Sequence, residues 1–304
     1  MNPDIRQLDF NLLKALDALL DERSVTRAAE RLALTQPAVS GMLTRLRERF
    51  DDPLFVRAQR GIVPTLRAQQ LAAPVKQLLA DIEALLRPQR FDPTTAAMTL
   101  TIACTDYALQ AVVVPFLNTL KQQAPAVRVA VRPVDEQALT SQLERGEVDL
   151  ALVTPPTTSP GLHSADLFEE RYVCVMRADH PYAHRPLSLE RFCALDHMLV
   201  SPAGGAFKGV TDEALAALGR SRRVSTSVTS FLVVPPLLLG SDMIAVVPSR
   251  LTAGQPALAV LAPPLEIPGF TKTMAWHART HNDSAHQWLR ALLTAACQQR
   301  PRSA

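Results

Sequence analysis

The hydrophobic period of this chain changes once, at residues 88–95, and the change limits what each part can fold into. Before it, apolar residues recur every three to four positions, as on the buried faces of helices. After it, short apolar runs alternate with helical stretches, the pattern of βαβ units and a parallel sheet. A length of 304 residues accommodates the two domains this implies.

In the first part, Asp9 caps a helix with Phe10, Leu13, Leu16 and Leu20 on its inner face. Ser24 opens a second helix with Ala28, Ala29 and Leu32 inward, and Thr35 a third with Val39, Leu43, Leu46 and Phe50 buried. Pro37 sits in the first turn of that third helix, where a missing N–H costs nothing. Residues 51–64 hold two prolines and Gly61 and read as a two-strand hairpin. A long helix follows. Its stripe of Leu71, Val75, Leu78, Leu79, Ile82, Leu85 and Leu86 exceeds what so small a head can bury, which predicts a partner helix from a second chain.

Charge singles out the same region. Residues 23–67 carry nine arginines against four carboxylates, a net of +5, whereas 93–304 carry 18 basic and 17 acidic side chains. A basic head on a near-neutral body points to a polyanion. Helix, short turn, helix, with small Ala28 and Ala29 at the crossing, is the geometry that sets the start of the second helix in the DNA major groove. There Gln36 can pair bidentately with adenine, Ser40 can reach bases or phosphates, and Arg45 can meet phosphate. Thr26 and Arg27 begin the preceding helix, where N–H groups bind phosphate oxygens. Arg57 and Arg60 flank a hairpin turn that fits the minor groove.

The segment RAAERLALTQPAVSGMLTRLRERFDDPLFVRAQRGIVPT, with its TQPAVS core, LFVR hairpin and closing PT, closely resembles the LysR-type transcriptional regulators, over residues 8–86. The resemblance implies a winged helix-turn-helix DNA-binding domain at 1–66, a linker helix and hinge at 67–92, and a two-lobed, periplasmic-binding-protein-like α/β effector domain at 93–304. Carried over, Thr35, Gln36, Pro37 and Ser40 begin the recognition helix, and Leu54, Phe55, Arg57 and Arg60 belong to the wing. Also implied are homodimers through the linker helix, homotetramers, pseudo-palindromic double-stranded DNA, a small-molecule effector, and a cytoplasmic regulator with RNA polymerase as a further partner. Gly41 departs from the family pattern: it offers DNA no side chain and costs the helix about 1 kcal/mol relative to Ala.

In the body, the resemblance divides the lobes at about 93–166 plus 271–304, and 167–270, with crossings near 167–170 and 268–271. Ligands of open α/β sheets bind where strands end and helices begin. That rule selects Thr105, Asp106, Tyr107, Val134 and Thr154 in one lobe, and Ser201, Phe207, Thr229 and Phe231 in the other. SLERFCALDHMLVSPAGG and SFLVVPPLLLGSDMIAVVPSRL resemble the branch of the family that answers to aromatic acids and nodulation flavonoids. Asp106 with Tyr107 favours a hydrogen-bonding effector, aromatic or carboxylate.

Other readings are open at this point. Cys104 and Cys193 would serve a regulator that senses oxidation, and a regulator without an effector is a further alternative. No G-x-S-x-G elbow supports an enzyme, and SPAGGAFKG lacks the G-K-[ST] of a phosphate loop. His277, His281 and His286 have zinc-like spacing only on a continuous helix, whereas a strand and a turn are expected there, so neither metal nor cofactor is expected. No signal pattern opens the chain. Its most apolar run, FLVVPPLLLG, is short and holds two prolines, so no membrane span is expected.

Overall fold

A computed structural model of the chain describes residues 9–59, 61–86, 91–155, 161–202 and 204–298. Two compact units divide it, one up to residue 89 and one from residue 90.

In the first unit, α1 (Phe10–Glu22), α2 (Val25–Arg31) and α3 (Gln36–Phe50) begin at side-chain caps. The Asp9 carboxylate accepts from the Asn11 amide, Ser24 Oγ from Arg27 and Thr35 Oγ1 from Ala38. The helices close on a core that includes Leu16, Leu19, Ala28, Val39 and Leu46. Two expected contacts of α1 are corrected: Phe10 is exposed and Leu20 only half-buried, and Leu12 and Leu19 take the inner face instead.

β1 (Phe55–Ala58) and β2 (Gly61–Pro64) form the antiparallel hairpin. It is pinned to the α1–α2 turn: the Ile62 amide donates to the Arg23 carbonyl. Gly61 makes this approach with φ at 90°, and a Cβ there would lie 2.6 Å from the same carbonyl oxygen. Arg47 donates to the Pro53 and Phe55 carbonyls from the other side. Asp52 accepts from the Leu54 amide and the Thr65 hydroxyl, and Thr65 Oγ1 in turn caps α4 (Leu66–Leu86). The stripe on α4 is less unpartnered than its sequence implies, because Leu71, Val75 and Leu79 pack on the head's own core. Leu78 and Leu85 stay 43% and 84% exposed.

The second unit holds two five-stranded sheets. The first runs β4 (Arg128–Arg132), β3 (Thr99–Cys104), β5 (Leu150–Val153), β12 (Phe270–His277), β6 (Leu162–Glu170). The second runs β11 (Leu258–Leu261), β7 (Tyr172–Arg177), β10 (Ile244–Pro248), β8 (Asp196–Val200), β9 (Arg223–Val228). The helices are α5 (Asp106–Ala108), which passes through a π-helical turn at Leu109–Val113 into α6 (Val114–Gln123), then α7 (Leu139–Arg145), α8 (Leu189–Ala194), α9 (Val210–Ala217), α10 (Val234–Leu239) and α11 (Ser284–Gln298).

The sheets are mixed rather than parallel. β3 pairs in parallel with β4 and β5, and β8 with β9 and β10. β12 is antiparallel to β5 and β6, and β7 to β10 and β11. The antiparallel pairs lie at the crossings: β6 and β7 carry the chain from one lobe to the other, and β12 brings it back. β6 remains in the first sheet to Glu170 and β12 joins it at Phe270, so residues 167–170 and 270, expected in the second lobe, pair in the sheet of the first. One core spans both lobes, from Leu100, Ile102 and Phe116 to Val175, Met198 and Leu238. Among the described residues, no helix is long and apolar enough to cross a membrane.

Candidate functional site

On α3, Val39, Leu43 and Leu46 point inward and leave Gln36, Pro37, Ser40, Gly41 and Arg45 exposed. A Cβ at Gly41 would meet open space, so the fold itself does not require glycine there. Thr26 and Arg27 are exposed at the start of α2, and Arg57 on β1; Arg60 lies outside the described residues. Two of the arginines expected to meet phosphate are engaged within the head: Arg27 pairs with Glu22 at 3.5 Å and Arg45 with Asp9 at 3.6 Å. Exposed pairs of this kind are worth roughly 0–1 kcal/mol, so a phosphate can displace the carboxylate.

Between the two lobes lies a cleft of about 1000 Å³. Of the sequence-predicted residues, Thr105, Tyr107, Val134, Thr154 and Phe231 line it. Thr105 also caps α5, its Oγ1 accepting from the Ala108 amide.

Four predicted residues have other roles. Asp106 ties the lobes together: its carboxylate accepts from the Ser230 hydroxyl and the Phe231 amide, each at 2.6 Å. Ser201 is buried, with its amide bonded to the Val228 carbonyl, and the neighbouring Pro202 reaches the cleft instead. Gly204 and Gly205 then turn the chain with positive φ, and Phe207 ends 54% exposed, outside the wall. Thr229 lies beside this loop; a Cβ on Gly204 would stand 3.5 Å from its Cγ2.

Tyr107 connects the wall to the crossing. Its hydroxyl donates to Glu170 Oε2 at 2.5 Å. Burial, and then this bond, push the phenol far above its ordinary range. The same buried carboxylate accepts from the Arg171 amide and from the amide and hydroxyl of Ser249 in the second lobe. Edge-on to the Tyr107 ring are Phe270 at 5.7 Å and Phe231 at 6.1 Å. Over its face, at 5.9 Å, stands the Lys272 ammonium. Lys272 is 3% exposed, and burial lowers its pKa to about 8.

Burial pushes the Cys104 thiol up to about 11 and also raises Cys193, whereas a reactive thiol needs a lowered pKa. The three histidines disperse. His281 stacks on His163 at 4.0 Å, His277 accepts from the Arg279 amide, and His286 is buried 4.0 Å from Asp149.

Residues 10–69 match the bacterial regulatory helix-turn-helix protein, lysR family, and residues 94–298 match the LysR substrate binding domain. The chain belongs to the LysR family. It is a DNA-binding transcription regulator with an effector-binding domain. Among similar proteins of this family, the transcriptional activator NahR of Pseudomonas putida is 38% identical over 95% of this chain and 98% of its own length. Nodulation protein D 1 of Bradyrhizobium sp. (strain NC92) is 34% identical over 94% and 92%. Among solved structures, the probable transcriptional regulator PA0477 from Pseudomonas aeruginosa aligns with a TM-score of 0.58 at 33% identity, covering 95% of this chain and 98% of that one. Full-length OxyR from the same organism shares the fold, with a TM-score of 0.65 at 19% identity over 96% and 100%.

Sequence reasoning missed part of this LysR regulator's cleft wall: Glu169, Tyr172, Phe270, Thr271 and Lys272. All five flank the two crossings between lobes. Strand-to-helix junctions were the guide, and these residues precede no helix. The available signal was the crossings themselves, since a chain passing between two lobes must border the cleft.

Proposed function

We propose that this LysR regulator reads DNA through the exposed face of α3 and is switched by a small molecule held between its lobes. Gln36 and Ser40 meet base edges; Thr35 and Pro37 set the start of the helix. Thr26, Arg27, Arg45, Arg57 and Arg60 hold the phosphate backbone. Thr105, Tyr107, Val134, Thr154 and Phe231 border the effector. α4 pairs two chains through Leu78 and Leu85, so that two heads meet the halves of a pseudo-palindrome, and the effector domains join dimers into tetramers. The observation that carries the effector reading is the cleft of about 1000 Å³ walled by both lobes, next to Tyr107 and the Glu170 hub at the crossing. A ligand there favours one arrangement of the lobes to the extent that it binds that arrangement more tightly.

The test is a thermal-shift screen of the purified protein against small organic acids and their neutral analogues, repeated on Val134→Trp, which puts a large ring into the cleft wall. A dose-dependent rise in melting temperature that Val134→Trp abolishes supports the reading. Ligands that stabilise both proteins equally would move the site elsewhere.

A further inference from the structure

We propose that the second unit carries a further ligand site, in a pocket that shares one wall residue with the cleft, and that its ligand is a compact neutral molecule, mostly hydrocarbon, with one hydroxyl or carbonyl group.

The pocket has a volume of about 230 Å³. An apolar cavity of roughly 150 Å³ is enough to hold benzene. Three strands of the second lobe supply Val175, Val247 and Leu258 to the wall, all of them buried. Among its described residues none is charged. A carboxylate or an ammonium entering here would lose its water and gain no counter-charge, so the pocket selects a neutral guest. Two carboxamides, Gln110 and Gln255, give the apolar wall its polar points. Each offers both a donor and an acceptor, and neither side chain is hydrogen-bonded within the described residues. A hydroxyl or a carbonyl can pair with either one.

The backbone marks the same place. Gln110 belongs to the π-helical turn Leu109–Val113, and π-helical turns inside helices occur frequently at functional sites. This turn follows α5 directly, so one continuous segment lines the cleft with Thr105 and Tyr107 and the second pocket with Gln110. Gln110 comes from the first lobe and Gln255, just before β11, from the second, so the pocket draws on both lobes. Among the described residues, Phe231 alone lines both pocket and cleft. Its amide donates to the Asp106 carboxylate at 2.6 Å. A guest packed on Phe231 steadies that contact, and through it the cleft wall; any resulting change in effector affinity is reciprocal and rests on the cleft being the effector site. The pocket as a binding site does not rest on that reading.

The experiment is fluorine NMR of para-fluorobenzyl alcohol, para-fluorotoluene and para-fluorobenzoate with the full-length protein. Wild type is compared with Gln255→Trp, which puts a ring into the pocket wall from a half-exposed turn position, with Gln110→Met, and with Val134→Trp in the cleft wall. The alcohol and the toluene are expected to bind wild type and Val134→Trp alike, and to fail with Gln255→Trp. Methionine keeps the length of Gln110 without its amide, so Gln110→Met should retain the toluene and weaken the alcohol about fivefold relative to it. Hydrogen exchange of the Phe231 amide should slow when the alcohol is bound. Binding that Val134→Trp abolishes and Gln255→Trp leaves intact would place these molecules in the cleft and overturn the second site. So would the absence of binding at millimolar concentration. An unchanged ratio of alcohol to toluene in Gln110→Met would overturn the role of the carboxamide. Benzoate bound as tightly as the alcohol, and lost with Gln255→Trp, would overturn the neutral class. Unaltered exchange at Phe231 would overturn the link to the cleft wall.

Discussion

Asp106, the first residue of α5, accepts hydrogen bonds from the Ser230 hydroxyl and the Phe231 amide of the opposite lobe, each at 2.6 Å. One carboxylate thereby caps the turn that leads into α10 and sets the position of Phe231, which walls the cleft. Asp106→Ala removes the oxygen that accepts both bonds and leaves the Phe231 amide without its partner, a loss of about 1–3 kcal/mol. Amide hydrogen exchange at Phe231 is expected to accelerate sharply, and effector affinity to fall. Unchanged protection would mean that the lobes hold together without this bond.

DNA reading separates into two kinds of residue. Gln36→Ala should cost about 1–3 kcal/mol at one base position and little at others. Titration against a set of single-base operator variants checks this, and an equal loss on every sequence would assign Gln36 to the backbone. Arg57→Ala should weaken all sequences alike and lower the slope of log affinity against log salt by about one.

The elements that were plain in the sequence are those whose causes are local. Thr35 followed by Gln36–Pro37 marks a helix start wherever it stands, and Asp9 and Ser24 do the same for α1 and α2. β6 was not legible, since LHSADLFEE shows no clean alternation; it is a strand because residues about a hundred positions later, 270–277, lie beside it. Lys272 was hidden for a related reason. A lysine in a strand reads as solvent-facing, and only tertiary packing, with the Tyr107 ring beside its ammonium, shows it buried. The placement of Asp106 was half legible: position after β3 locates it near the cleft, but the Ser230 and Phe231 groups that bind it belong to the other lobe.

Gly61 is held by its backbone, at φ 90°, against the carbonyl of Arg23. Gly61→Ala adds both an unfavourable conformation and a clash at 2.6 Å with backbone that cannot swing away. A cost of about 1–3 kcal/mol to the head is expected. Because the hairpin as a whole shifts, operator and non-specific DNA should lose affinity together, unlike the base-specific loss at Gln36. A wild-type affinity for both would show that the wing tolerates displacement.

Leu78 and Leu85 are seven residues apart on α4, on one face, and neither is needed for the head's own core. Glutamate at either position should therefore leave the fold intact and oppose association of two chains, since it would place a charge in an apolar seam. Light scattering of Leu78→Glu and Leu85→Glu is expected to report a lower mass than wild type, with unchanged far-ultraviolet circular dichroism. An unaltered mass would remove α4 from the dimer contact.

Lys272 makes stability depend on pH in a direction that can be worked out. Its pKa falls from 10.5 in the unfolded chain to about 8 in the fold. Between those values the unfolded state binds more protons, so the unfolding free energy rises with pH. The penalty is complete below pH 8 and fades as pH climbs towards 10.5. Its full size is about 3 kcal/mol. Lys272→Met removes the buried amine, so it should be more stable than wild type at pH 7 by up to that amount. The gap should close between pH 8 and 10.5. Both tryptophans, Trp276 and Trp288, lie in the effector unit, so urea unfolding followed by their fluorescence isolates the relevant transition. A variant less stable than wild type by the same margin at every pH would mean that the ammonium is already compensated within the protein.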